Sequence, residues 1–212
     1  MANDKIYKRR RSAAEYARTS RNKDTRKRIL IVCEGEKTEP NYFESFPQRG
    51  DLVKVYVHGE GKNCLSLVEK ADTLIKEYKA KNEPIDETWC VFDRDSFSAD
   101  KFNGAIEKCR TKKYHAVYSN EAFEIWYLLH FEKHDTAYSR KRYEEMLSRR
   151  LGEPYKKNSK EMYTKLIDKQ NTAIKNAKSL REFYGEKHNP CLDNPCTLVY
   201  QLVEALNKNF IG

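Results

Sequence analysis

The chain has 212 residues, a formal net charge of +9 and a mean hydropathy of −0.92, with 34% charged and 39% hydrophobic residues. That length encloses one main hydrophobic core with a smaller appendage, and the apolar share is enough to fold most of it, which excludes a wholly disordered chain. No stretch reaches the ~20 apolar residues of a membrane span and the N-terminus lacks the apolar core of a secretory signal, so a cytoplasmic protein without membrane contact is expected.

Residues 1 to 28 carry eleven Lys or Arg against Asp4, Glu15 and Asp24, an excess of +8, which leaves the remainder near neutral. A basic arm of this kind is drawn to polyphosphate and gains from counterion release, so nucleic acid is its natural partner. Lys8, Arg9, Arg10, Arg11, Arg18 and Arg21 are its candidate phosphate contacts. A solubilising tail is the alternative reading.

At Arg28 the pattern changes to Ile29–Cys33, an unbroken apolar run that ends at Glu34-Gly35 and reads as a buried parallel strand. Thr38 and Pro40 open a helix that closes by Gly50, and Leu52 to Gly59 alternates as a second, less buried strand. Leu65, Val68, Ala71, Leu74, Ile75 and Tyr78 recur at helical spacing and predict a helix over Cys64 to Lys81. Thr88 to Phe92 is a third strand that stops at Asp93-Arg94-Asp95, before a helix over Asp100 to Lys112. His115 to Tyr118 is a fourth strand, after which Ser119 or Asn120 caps a helix through Ala122 to Phe131. Beyond His134 the strand signal stops, and helices are expected near Ser139–Leu151, Glu161–Asp168, Thr172–Tyr184 and Pro195–Asn207. The expected division is a basic arm over 1–27, an α/β domain over 28–132 with about four mostly parallel strands, and a helical extension over 133–212.

In open α/β sheets ligands collect at the carboxyl ends of strands, where the first strand delivers Glu34 and the third delivers Asp93 and Asp95. Two residues apart in extended chain, Asp93 and Asp95 point to one side, a pairing suited to Mg²⁺ or Mn²⁺ with substrate phosphate. A plain capped loop is the bland alternative for Asp-Arg-Asp-Ser.

The segments Val32-Cys33-Glu34-Gly35-Glu36-Lys37-Thr38-Glu39-Pro40-Asn41-Tyr42-Phe43, Phe92-Asp93-Arg94-Asp95, Ser119 to Phe131 and Asn194-Pro195-Cys196-Thr197 resemble the RloB-like family, which is related to the Toprim fold of topoisomerases, primases and nucleases. The resemblance implies a Toprim-like sheet and a metal-dependent nuclease of phage defence, acting on DNA or RNA, possibly tRNA, with an ABC-type ATPase encoded nearby. It also implies Glu34 as general acid/base or metal ligand and Asp93 with Asp95 as metal ligands. Bulky Phe97 departs from the small residues of the Toprim pattern.

Glu124 stands in an almost wholly apolar helix, needs a partner or an ion and is a catalytic candidate, and Glu121, three positions earlier, is read as sharing its face and as a further metal ligand. A buried salt bridge is the alternative for Glu124, and a helix-dipole role for Glu121. Glu36, Lys37 and Glu39 follow Gly35 and lie beside the site; Lys37 is a catalytic candidate, to touch a phosphate or stabilise developing negative charge, with a solvated lysine as the alternative. His188, Cys191 and Cys196 lack the second ligand pair of a structural zinc site, and no G-x-x-x-x-G-K-[ST] loop is present, so ATP hydrolysis falls to a partner. Oligomeric state is open, a homo-oligomer included.

Overall fold

The computed structural model of the chain describes residues 27–47, 53–59, 64–94 and 97–211, the side chains of 210 and 211 excepted. They build a sheet in the order β2-β1-β3-β4-β5. Strands β1 (Lys27–Cys33), β2 (Val53–Gly59), β3 (Glu87–Asp93) and β4 (His115–Asn120) run parallel, and β5 (Cys196–Thr197) is antiparallel to β4.

β1 is hydrogen-bonded on both edges, and Ile29, Leu30, Ile31, Val32 and Cys33 are all fully buried. A strand so placed has no solvated face, which is why its sequence is an unbroken apolar run. β2, at the sheet edge, buries Val53 and Val55 while Lys54 and Tyr56 are half-buried, which accounts for its alternation.

The strand order reverses after β2, since β1 passes outward to β2 and β2 returns across β1 to β3. Right-handed crossovers then put α1 (Thr38–Glu44) on one face, and α2 (Cys64–Ala80) and α3 (Ala99–Thr111) on the other. α2 and α3 pack together there. Tyr42 of α1 instead meets Phe123 and Trp126 at α4 (Glu124–Leu128), with ring centroids 6.0 and 6.5 Å away.

The remaining helices are α5 (Arg140–Leu151), α6 (Met162–Leu166), α7 (Gln170–Phe183) and α8 (Val199–Ile211). Ser139 caps α5 by accepting the Arg142 N–H at 3.4 Å, and Gly152 ends it at φ 74°, a conformation open to glycine without a Cβ clash. Asn176 on α7 donates to Leu129 O at 2.8 Å and ties that helix to the end of α4.

Two expectations change. A fifth strand comes from the stretch read as helical, because Ser119 pairs with Thr197 and Asn120 with Cys196, and the Ser119 and Thr197 hydroxyls lie 2.9 Å apart. That pairing keeps Ser119 and Asn120 extended within β4, so neither caps a helix, and the expected helix over Ala122 to Phe131 contracts to the five residues of α4. All six cysteines are free and buried. Among the described residues no helix is long and apolar enough to cross a membrane.

Candidate functional site

The reversal of strand order falls between β1 and β3, the kind of switch point where a crevice opens beyond the strand ends in α/β sheets. Glu34 follows β1 and Asp93 ends β3, so the two flank that point. The Glu34 N–H donates to Val91 O at 2.9 Å, which carries the ladder one residue past Cys33. Glu34 Oε2 in turn accepts the Asp93 N–H at 3.1 Å. Asp93 is 7% exposed; its Oδ2 accepts from Arg140 Nη2 at 2.9 Å, and its Oδ1, also buried, has no hydrogen-bond partner.

Three more carboxylates surround this pair. Glu39, in the first turn of α1, is buried, and its side chain fills the space beside Gly35. Glu124 opens α4, is buried, and accepts the Tyr155 hydroxyl at 3.2 Å. Glu121 precedes α4 and accepts the Arg140 backbone N–H at 3.4 Å. Arg140 therefore touches Asp93 and Glu121 and comes within 4.0 Å of Glu124 Oε2.

Burial, then the charges of Glu39 and Glu124, push the Asp93 carboxyl well above the usual carboxylate range, and the Arg140 guanidinium only partly opposes this. Burial also raises Glu39 to about 7, aided by Glu124 and opposed by its own backbone hydrogen bond and by Arg140. Glu124 is raised for the same first reason, with Arg140 and Lys157 pulling it down. Crowded carboxylates under-compensated by one guanidinium form a site that gains from an added cation.

A divalent ion is tested against this donor set. Among the described residues no group of three or more His, Cys, Asp or Glu is arranged to hold a metal by itself. Mg²⁺ asks for less, usually one or two carboxylates with waters and substrate phosphates. The unpartnered Oδ1 of buried Asp93, beside Glu34, meets that smaller requirement.

Of the residues singled out from sequence, Glu34, Asp93, Glu121 and Glu124 come together. Glu121 does not share a helical face with Glu124, because it lies before α4; the two converge through Arg140 instead. Lys37 is exposed immediately before α1, at the same sheet end. Asp95 and the arm residues Lys8, Arg9, Arg10, Arg11, Arg18 and Arg21 lie outside the described residues. His188 bonds Asp193 through Nδ1 and the Tyr118 hydroxyl through Nε2 (2.5 Å). Sequence reasoning placed Glu39 only beside the site, without a role, and missed Tyr155 and Arg140 altogether. Glu39 carried one readable signal, a carboxylate one turn past a strand-end glycine; Arg140 carried none.

A mostly parallel α/β sheet with buried carboxylates gathered at its switch point defines an α/β protein with an acidic sheet edge. The chain belongs to the RloB-like protein family, whose model matches residues 29–206. That span contains every carboxylate of the site. Comparisons with curated proteins and with solved structures gave no match.

Proposed function

We propose that the chain is a Mg²⁺- or Mn²⁺-dependent phosphodiesterase that cuts DNA or RNA. The observation that carries this is the buried, unpartnered Oδ1 of Asp93 among Glu34, Glu39 and Glu124 at the switch point. Asp93 and Glu34 would hold the ion, with Glu121 and Asp95 as further candidates. When bound, the ion supplies an activated water and steadies the leaving oxygen. Glu34 is fixed by the Asp93 N–H and is oriented to move a proton at its carboxylate. Glu39, titrating at about 7, exchanges a proton near neutral pH, and Lys37 stands exposed where a phosphate would enter. The basic arm would guide the polyanion to this edge. The family resemblance supports a role in phage defence beside an ABC-type ATPase, which would supply the ATP chemistry that the sequence lacks.

A second reading is a non-catalytic module that binds nucleic acid or docks on the ATPase. The Arg140–Asp93 ion pair favours it, since a positive group already neutralises part of the acid. Cleavage decides between them. The purified chain, with and without the ATPase, is incubated with DNA, RNA and tRNA in Mg²⁺ or Mn²⁺. Cutting that Asp93→Ala abolishes supports the nuclease; no cutting of any substrate, together with no phenotype for Asp93→Ala in phage challenge, sinks it.

A further inference from the structure

Arg140 belongs to the C-terminal half, yet among the described residues it reaches acids of the sheet edge. The Ser139 cap fixes the start of α5, the Arg140 N–H bonds Glu121, and the guanidinium reaches Asp93 at 2.9 Å and Glu124 at 4.0 Å. Its side chain is 31% exposed, against 10% for Asp93 and 4% for Glu124, so the guanidinium is the more solvent-accessible partner of the pair.

Two cations then compete for one buried acid. A divalent ion on Asp93 Oδ1 adds positive charge beside the guanidinium, which weakens the hold of Asp93 on Arg140. A guanidinium is a planar fork matched to phosphate oxygens, and a phosphodiester approaching clustered carboxylates needs such a donor to offset their repulsion. Resting on the reading of the site as a cation and phosphate centre, we propose that Arg140 is a displaceable counter-ion. It holds Asp93 when no metal is bound, and passes to the substrate phosphate when a divalent ion takes Asp93.

A purely structural ion pair and a displaceable counter-ion differ in sign. Removing a structural partner disorders the acids and weakens every ligand. Removing a competing counter-ion tightens metal and weakens phosphate. The test is Mn²⁺ titration of the full chain by electron paramagnetic resonance, with hexathymidylate and hexauridylate binding measured separately in Ca²⁺. Arg140→Gln is expected to raise Mn²⁺ affinity on the order of tenfold and to lower oligonucleotide affinity by roughly tenfold or more. Arg140→Lys, which keeps the charge and loses the fork, should leave Mn²⁺ affinity near wild type and still weaken the oligonucleotide. Mn²⁺ affinity that falls or stays constant in Arg140→Gln overturns the proposal; if that variant does not fold, oligonucleotide affinity unchanged in Arg140→Lys overturns it. A wild-type chain that binds Mn²⁺ without either oligonucleotide sinks the phosphate role, whereas normal binding without cleavage sinks only the nuclease reading.

Discussion

The Glu39 carboxylate occupies the space that a side chain on Gly35 would need: a Cβ built there would lie 2.8 Å from Glu39 Cδ and 2.9 Å from its Oε1. Glycine at 35 is thus a condition for burying a carboxylate behind the strand end. Gly35→Ala is expected to push Glu39 aside and to lower stability by about 1–3 kcal/mol. In urea denaturation, adding Glu39→Ala should recover most of the loss; a double variant no more stable than Gly35→Ala would show that the clash lies elsewhere.

Asp93→Asn and Glu34→Gln are each expected to slow cleavage by about a hundredfold or more, while oligonucleotide affinity is retained. Single-turnover rates beside equilibrium binding separate the two effects. Equal loss of binding and cleavage would place these acids in substrate docking.

The acid cluster also fixes the sign of a pH effect. Glu39 titrates at about 7 in the fold against an ordinary 4.5, so between those values the folded chain binds more protons than the unfolded one. Its stabilisation is complete below about pH 4.5 and is lost as pH rises through 7, a change on the order of 3 kcal/mol. Asp93 and Glu124 are shifted in the same direction. The melting temperature of metal-free protein should therefore fall between pH 5 and 8, Glu39→Gln should flatten the fall, and Mn²⁺ should oppose it. A rise over that interval, unchanged in Glu39→Gln, would contradict the assignment.

The arm makes a prediction about salt. Replacing Lys8, Arg9, Arg10 and Arg11 by Ala is expected to weaken nucleic-acid binding for all sequences alike. If each meets a phosphate, the log–log salt slope should become shallower by roughly 3 to 4. An unaltered slope would make the arm a solubilising tail.

The sheet was legible where one residue type dominated a whole element. Ile29–Cys33 announced a central strand because burial on every side leaves no polar position, and an acid after such a run must stand at the strand end. Glu34 and Asp93 were readable for that reason. Glu39 was readable only as a neighbour of the site, because Glu-Lys-Thr-Glu has the composition of a solvated first turn and its burial depends on the close approach at Gly35. Arg140 lies 47 residues from Asp93 among many exposed cations, and no local pattern marks which one turns inward. β5 escaped because two residues have no period, and its capture of Ser119 and Asn120 shortened the helix that periodicity had extended.

The pairing of β5 with β4 has a consequence for how the chain comes to be made. Contacts between Ser119 and Thr197, and between Asp93 and Arg140, span long sequence intervals, and contacts of that kind close late in folding. During synthesis the acidic edge of β1 and β3 emerges well before the arginine that balances it and the strand that covers β4. A nascent chain stopped before residue 140 carries the acids without this counter-charge, so the balance of charge at the sheet edge is set only after the whole parallel sheet has been made.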